Sequence, residues 1–263
     1  MMTKFCLASD VHLAFGSAFI DNTENADCLI LAGDIYEFVN LAPKSELSYN
    51  YVDEFFQHIS NQFKQVVYIA GNHEYYGYQI SRGRQAINRY LESMNIGNIK
   101  FLEKDSIDIN GIKVHGATTW TNFNNGDAQA MLAAEYGMND YRYISVDDYS
   151  VFKPKHGFED HINAMQFFDN ATKDGNKCII VSHHAPLYSC VEKHHSSETL
   201  NHAYASDLSE FILDRPNIAA WCFGHVHGRF DFKLGDTRIL ANCRGYSKYE
   251  KIAETFKPFF FEV

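Results

Sequence analysis

Two pairs of residues spaced two apart, Asp10-Val11-His12 and His225-Val226-His227, have the side-chain types and spacing to hold a metal ion. Along an extended chain, residues i and i+2 project from one face, so both members of a pair can reach one ion. Either pair alone is a weak signal. Here each follows a short apolar run, and three further runs end in the same kind of residue. Phe5–Ser9 leads into Asp10 and His12, Cys28–Ala32 into Gly33-Asp34, and Val66–Ala70 into Gly71-Asn72-His73-Glu74. Cys178–Ser182 leads into His183-His184, and Ala219–Phe223 into Gly224-His225. Runs of this length, rich in β-branched and aromatic residues, read as buried strands. Open α/β sheets place their sites at the carboxyl ends of strands. The repetition points to one metal centre assembled from the whole chain, and so to an enzyme.

The candidate ligands are Asp10, His12, Asp34, Asn72, His183, His225 and His227. Four histidines, two aspartates and an asparagine are too many for one tetrahedral site. They suit two ions sharing a bridge. Imidazole with carboxylate is compatible with Mn, Fe, Zn or Ni, and ligand type alone does not choose among them.

The elements that must position these residues follow from periodicity. Tyr51–Phe63 and Arg84–Met94 carry apolar residues on one helical face. Ile107–Ile109, Asn110-Gly111 and Ile112–His115 read as a hairpin with a two-residue turn. Strand-dense segments return at Gly228–Leu234, Arg238–Asn242 and Phe259–Val263, with a Gly-Asp turn between the first two. The stretch 118–176 falls between the hairpin and the fourth ligand strand and contains two helical patterns, Asp127–Tyr136 and Phe158–Asn170. It reads as a cap or lid inserted into a single 1–263 domain, with a plain extension of the core as the alternative.

Taken in order, Asp10-Val-His12, Gly33-Asp34, Gly71-Asn-His-Glu74, His183 and Gly224-His-Val-His227 resemble the sequence blocks of the calcineurin-like metallophosphoesterases. All five blocks are present over roughly residues 4–230. The resemblance implies an α/β fold, a four-layer αββα sandwich of two mixed β-sheets face to face with helices outside. It also implies roles: Asp10, His12 and His227 on one ion, Asn72, His183 and His225 on the other, and Asp34 as the bridge. By the same resemblance His73 faces the leaving group without binding metal. Two departures stand out. Position 37 is Glu where many members carry Asp, and two histidines are adjacent at 183 and 184, with His184 the second choice of ligand.

The implied chemistry is phosphoester hydrolysis by a metal-bridging hydroxide, with manganese the favoured pair of ions. Two divalent ions outweigh Asp10, Asp34 and the hydroxide by about one positive charge, so phosphate oxygens are drawn in. The hydroxide attacks phosphorus in line while the ions neutralise charge on the attacking and equatorial oxygens. His73 protonates or hydrogen-bonds the departing oxygen. The expected substrate is a small phosphomonoester or phosphodiester, nucleotide-like. A nuclease or phosphoprotein phosphatase of the same superfamily, or a metal-binding scaffold without turnover, is the alternative.

Other residues carry two readings each. Glu74 either holds an imidazole from behind or is a surface acid at a helix start. Arg244 meets a substrate phosphate or makes a structural ion pair. Asn122, Asn124, Asn125 and Asp127 contact substrate if the 118–176 segment covers the site, or form a solvated loop with a helix cap. His184 is a further candidate for substrate binding. His194 and His195 line the substrate mouth or are exposed without a role.

Composition narrows the partners. The formal charge of −10 and a pI near 5.7 disfavour long nucleic acid and anionic membrane. The six cysteines contain no CxxC pair and read as buried thiols of a reducing compartment. Met1–Phe5 lacks the apolar region of a signal peptide, and no run approaches the roughly 18 apolar residues of a membrane span. These features together predict a cytoplasmic protein. Oligomeric state is not encoded in any of them.

Overall fold

The five ligand-bearing runs are all strands, but they are divided between two sheets. The computed structural model describes residues 2–38, 46–191 and 199–263; His194 and His195 lie outside the described residues. The strands are β1 Lys4–Ala8, β2 Cys28–Ala32, β3 Gln65–Ile69, β4 Ile99–Phe101, β5 Asp105–Ile109, β6 Ile112–Gly116, β7 Cys178–Val181, β8 Ile218–Phe223, β9 Arg229–Leu234, β10 Thr237–Asn242 and β11 Phe259–Glu262. The helices are α1 Glu46–Gln62, α2 Ile80–Ser93, α3 Phe123–Gly126, α4 Ala128–Gly137, α5 Asp140–Tyr143, α6 Pro154–Thr172, α7 Ser209–Leu213 and α8 Lys251–Glu254.

The first sheet runs β11-β1-β2-β3-β4, parallel except for β11. The second runs β5-β6-β7-β8-β10-β9, parallel in its centre with antiparallel edges. Side-chain parity explains how they stack. Phe5, Leu7, Ile30, Val67 and Ile69 of the first sheet share one buried cluster with Ile179, Val181, Ala220 and Cys222 of the second. The alternate residues of the first sheet, among them Leu29, Leu31, Val66 and Tyr68, pack with Phe56 and Ile59 of α1 and Ile87 of α2. Those of the second, Ile180 and Trp221, pack with Ala164 and Phe168 of α6 and Ile212 of α7. The result is the αββα sandwich of two mixed sheets. Because both faces of each ligand strand are buried, the strands read as continuous apolar runs rather than alternating ones.

The hairpin forms as its sequence predicts. Asn110 and Gly111 take φ of 53° and 87°, the positive values that a tight two-residue turn needs. The 118–176 segment divides. Trp120, Phe123, Ala130, Ala134, Tyr141, Ile144 and Phe152 share the cluster of the first sheet's helices. In contrast, α6 is the helical layer of the second sheet. Asp127 caps α4, its carboxylate accepting from Ala130 N at 2.8 Å.

The two sheets are joined at one end, at the carboxyl ends of their central strands. Ser9, just past β1, pairs with Cys243, just past β10. Ser9 N donates to Asn242 O at 3.1 Å and Arg244 N to Ser9 O at 3.0 Å. This seam brings the loops after β1, β2, β3, β7 and β8 to one place.

Candidate metal centre

Sharp turns, not the pleat of a strand, aim the paired ligands. Asp10, His12, Asp34, His225 and His227 all have left-handed backbone, with φ of 50°, 46°, 56°, 69° and 46°. The one-face argument for residues two apart on an extended chain therefore does not describe how these pairs converge. Asp and His are among the residues that tolerate this conformation best. Backbone bonds hold the turns: Asp10 N to Gly33 O at 2.9 Å and His12 N to Asp34 O at 3.1 Å. His225 N donates to both oxygens of Asp10, at 2.9 and 3.1 Å.

The seven candidate ligands meet in the interior. His12 Nε2 lies 3.1 Å from His227 Nε2, which lies 3.6 Å from Asp10 Oδ1. His183 Nε2 and His225 Nδ1 lie 3.0 and 3.1 Å from Asn72 Oδ1. Asp34 stands between the two groups, Oδ1 3.4 Å from His183 Nε2 and Oδ2 3.8 Å from His12 Nε2. Ligand atoms within 4.8 Å of one another form the sets Asp10-His12-His227, His12-Asp34-His73 and Asp34-His183-His225. Asp34 and His12 each belong to two of these sets, and Asp34 is the one that joins His12 to His183 and His225. His73 Nε2 is 3.9 Å from Asp34 Oδ2, at the margin of the group.

The donor chemistry fits cations. His183 Nδ1 sits 2.9 Å from Ala32 O and His227 Nδ1 2.7 Å from Glu250 Oε2. Such acceptors take the Nδ1 proton and leave the Nε2 lone pair facing inward. Those lone pairs then confront oxygen and nitrogen lone pairs at about hydrogen-bond distance, an arrangement that a shared positive charge resolves. Burial opposes charge on His183, yet Asp34 and Asp10 raise it to about 10. Burial would also raise Asp34, yet His183 and His73 hold it well below the carboxylate range. Burial keeps His12 and His225 neutral by lowering them well below the ordinary imidazole value. Ionised carboxylates and neutral imidazoles are the forms that bind metal, so an ion entering the site would displace the extra proton that Asp34 and Glu250 favour on His183 and His227.

Glycines let these side chains close up. A Cβ at Gly33 would fall 2.4 Å from His183 Nδ1, and one at Gly224 2.6 Å from Asp10 Oδ2. Glu74 ties two turns together instead of holding an imidazole or lying at the surface. It is fully buried. Its carboxylate accepts from Asp34 N, Ile35 N, Gly71 N and Tyr68 Oη at 2.7–3.0 Å.

His73 stands at the mouth. Its Nδ1 is 3.3 Å from Glu37 Oε1 and its Nε2 3.2 Å from Tyr246 Oη. Burial would lower His73, but Asp34 and Glu37 raise it to about 9. A cavity of about 250 Å³ opens over it, walled by Tyr76, Tyr204, Tyr246, Met138 and Val191 with Asp34 and Asn72 at its base.

Four other candidates do not line this cavity. Arg244 spends its guanidinium on the carbonyls of Val11, Gly16 and Ser17, at 2.7–3.0 Å, and clamps the loop after β1. Asn122 caps its own turn, Oδ1 accepting from Asn124 N at 3.0 Å, and Asn124 is exposed. His184 lies buried behind the ligands, its ring 4.3 Å from that of His225 and 5.1 Å from that of Trp120. The part of 118–176 that reaches the cavity is Gly137–Asn139.

One buried neighbour of Asn72 has no signal in the sequence. Asp140, 1% exposed, accepts from Asn72 Nδ2 at 2.7 Å and from Tyr76 Oη at 2.8 Å. It sits in an otherwise unremarkable Asn-Asp-Tyr stretch, and only the fold brings it to Asn72.

The chain is 29% identical over 210 residues to an uncharacterised protein of Acanthamoeba polyphaga mimivirus, a match covering 74% of this chain and 73% of that protein. Among solved structures it resembles phosphopantetheinyl hydrolase from Mycobacterium tuberculosis, with a TM-score of 0.71 at 14% identity over 100% of this chain and 96% of the other. It also resembles a putative 5′-nucleotidase from Staphylococcus aureus, with a TM-score of 0.52 at 12% identity over 92% of this chain and 48% of the other. At such identities the two structures share a fold with this chain and no more. A family model described as calcineurin-like phosphoesterase matches residues 3–229, from β1 through the last paired histidine and into β9. With that match, the two-sheet sandwich and the clustered strand-end histidines and aspartates in agreement, the chain belongs to the calcineurin-like phosphoesterase family.

Proposed function

We propose that the protein is a dinuclear metal-dependent phosphoester hydrolase acting on a small phosphomonoester or phosphodiester. The observation that carries this reading is the placement of Asp34, in contact range of both ligand groups at once. Asp10, His12 and His227 would hold one ion and Asn72, His183 and His225 the other, with Asp34 in reach of both groups. When bound, two such ions polarise the phosphoryl oxygens and supply a water acidic enough to attack phosphorus at neutral pH.

The chain's own residues do the rest. His183 and His227 are held in one tautomer by Ala32 O and Glu250. His73, aligned between Glu37 and Tyr246, supports the departing oxygen by donating a proton or a hydrogen bond from Nε2. Aromatic walls from Tyr76, Tyr204 and Tyr246 exclude water and offer flat surfaces to a ring in the substrate. A cavity of about 250 Å³ suits a small molecule, and the net charge of −10 disfavours long nucleic acid. One structural neighbour is named for phosphopantetheinyl groups and the other for 5′-nucleotides. Among small phosphoesters a nucleotide-like compound is the first choice, with Met138 and Asn139 of the 118–176 segment as its nearest wall. Manganese is the first metal to supply.

The test is metal content followed by turnover. Two ions per chain by elemental analysis, with manganese-dependent hydrolysis of p-nitrophenyl phosphate or its bis ester, supports the proposal. The ratio of the two rates separates monoester from diester preference. One tetrahedral zinc per chain, or two ions without hydrolysis of any phosphoester in a nucleotide panel, would overturn it.

A further inference from the structure

We propose that Asp140 is a positioning residue of the metal centre, fixing the Asn72 amide so that its oxygen and not its nitrogen faces His183 and His225. The inference deepens the two-metal reading above and rests on it. An asparagine amide has nearly the same shape either way round, but only its oxygen can coordinate a cation. Something must therefore choose the orientation. Asn72 Nδ2 points at Asp140 Oδ1 across 2.7 Å, which directs Asn72 Oδ1 to within 3.0 Å of His183 Nε2 and 3.1 Å of His225 Nδ1. Turned over, the amide would set oxygen against carboxylate oxygen and aim two N–H groups at the ligand histidines.

The carboxylate is placed firmly enough for that task. Asp140 is buried at 1% exposure in the first turn of α5. The end of α5 and the chain just after it are stitched to the chain just beyond Asn72. Gly77 N donates to Tyr143 O at 2.8 Å, Ile80 N to Ser145 O at 2.9 Å and Ser145 N to Tyr78 O at 3.0 Å. The same Asp140 oxygen accepts from Tyr76 Oη at 2.8 Å, and the Tyr76 ring stacks on His73 with centroids 4.2 Å apart. One carboxylate thus orients a metal ligand and the wall beside the leaving-group histidine. The 118–176 segment contributes a support to the centre as well as a rim to the cavity.

Both bonds reach Asp140 Oδ1, so Asp140→Asn can keep them through its own amide oxygen, whereas Asp140→Ala cannot. Manganese binding to metal-stripped protein is measured by calorimetry, beside thermal unfolding and near-ultraviolet circular dichroism. The expected result is a loss of about 10–100-fold in affinity at one of the two sites in Asp140→Ala, the usual cost of removing a residue that supports a ligand. Asp140→Asn should stay within about threefold of wild type, on the same reasoning. A second variant removes the need for orientation. In Asn72→Asp both side-chain atoms are oxygens, so Asn72→Asp combined with Asp140→Ala should regain affinity relative to Asp140→Ala alone. Wild-type affinity in Asp140→Ala, no recovery in the double variant, or loss of the folded state would each overturn the assignment. A wild type that takes up no manganese would instead overturn the two-metal reading beneath it.

Discussion

Gly71→Ala is a one-methyl perturbation aimed at the centre of the site. Gly71 lies outside the left-handed backbone region, so alanine brings no backbone strain there. The new Cβ would fall 2.1 Å from Asp34 Oδ1 and 2.6 Å from His183 Nε2. Reaching ordinary contact at about 3.4 Å requires Asp34 Oδ1 to retreat by roughly 1.3 Å and His183 by roughly 0.8 Å. Ligand distances in a working site hold within about 0.2 Å, so neither shift is compatible with an intact bridge. Manganese affinity should fall by at least about 100-fold, the upper end of the cost of disturbing a ligand from outside. Overpacking of this kind costs about 1–3 kcal/mol. At about 2–4 °C per kcal/mol for a chain of this size, Tm should fall by roughly 2–12 °C. The control is Gly97→Ala, where no atom lies within 4 Å and the backbone is again outside the left-handed region. It should leave Tm unchanged or raised. The assays are metal content after equilibrium dialysis, a thermal melt, and p-nitrophenyl phosphate hydrolysis. Two ions per chain and wild-type turnover in Gly71→Ala would refute the placement of Asp34 and His183 as ligands.

Asp34→Asn should lose metal and activity together, read by elemental analysis and initial rates; two bound ions with activity intact would move the bridge elsewhere. His73→Ala should keep both metals and lower kcat by about 10²–10⁴, with a smaller loss on p-nitrophenyl esters, whose leaving group needs little help. In metal-free protein, Asp34 and Glu37 raise His73 to about 9 against burial, so its stabilising effect is full below the unfolded value of 6.5 and fades as pH rises through about 9. The gap in Tm between metal-free wild type and His73→Ala should therefore narrow from pH 6 to pH 10, and a gap that widens would contradict the charge assignment. Asn122→Ala and Asn124→Ala should leave KM for the best substrate within about twofold, because neither side chain lines the cavity; a large rise in KM would bring that turn back to the substrate.

What could be read from the sequence depended on where each residue's partners lie. The ligand strands were legible because local composition marks a buried strand and each ends in a side chain of metal-binding type. Their division into two sheets was not, since Leu31 facing α1 and Ile30 facing the second sheet are equally apolar. For Glu74 the sequence leaves two readings open, a carboxylate behind an imidazole and a helix-start acid at the surface, and the structure gives a third. Two of its four donors, Asp34 N and Ile35 N, belong to the turn after β2, 40 and 39 residues away, and no local pattern encodes them. For Arg244 the sequence leaves a phosphate contact and a structural ion pair both open, because the carbonyls that occupy its guanidinium lie more than 220 residues away along the chain. Asp140 was invisible for the same reason: its value lies in a pairing between residues 77–80 and 143–145 that only the folded chain creates.

The left-handed turns explain why the ligand types themselves were such a clear signal. Five of the seven candidate ligands sit at positive φ, where a non-glycine residue costs on the order of 1–3 kcal/mol. Asp and His meet that demand with less penalty than β-branched or bulky residues, and they also bind metal. Residue identity at Asp10, His12, Asp34, His225 and His227 is therefore constrained by the backbone, and under the proposed function by metal binding as well. This decides which substitutions are informative. Replacing Asp34 with valine would add backbone strain to the loss of a carboxylate, and any effect on metal content would mix the two. Asparagine tolerates the left-handed region as well as aspartate does. It can also accept from His73 N through its amide oxygen, as Asp34 Oδ1 does at 2.9 Å. Asp34→Asn therefore removes the charge and the second bridging oxygen while sparing the turn. A melt within a few degrees of metal-free wild type, together with loss of both ions, would tie metal binding to the carboxylate itself. A large drop in the Tm of the metal-free variant would show that the turn had failed as well.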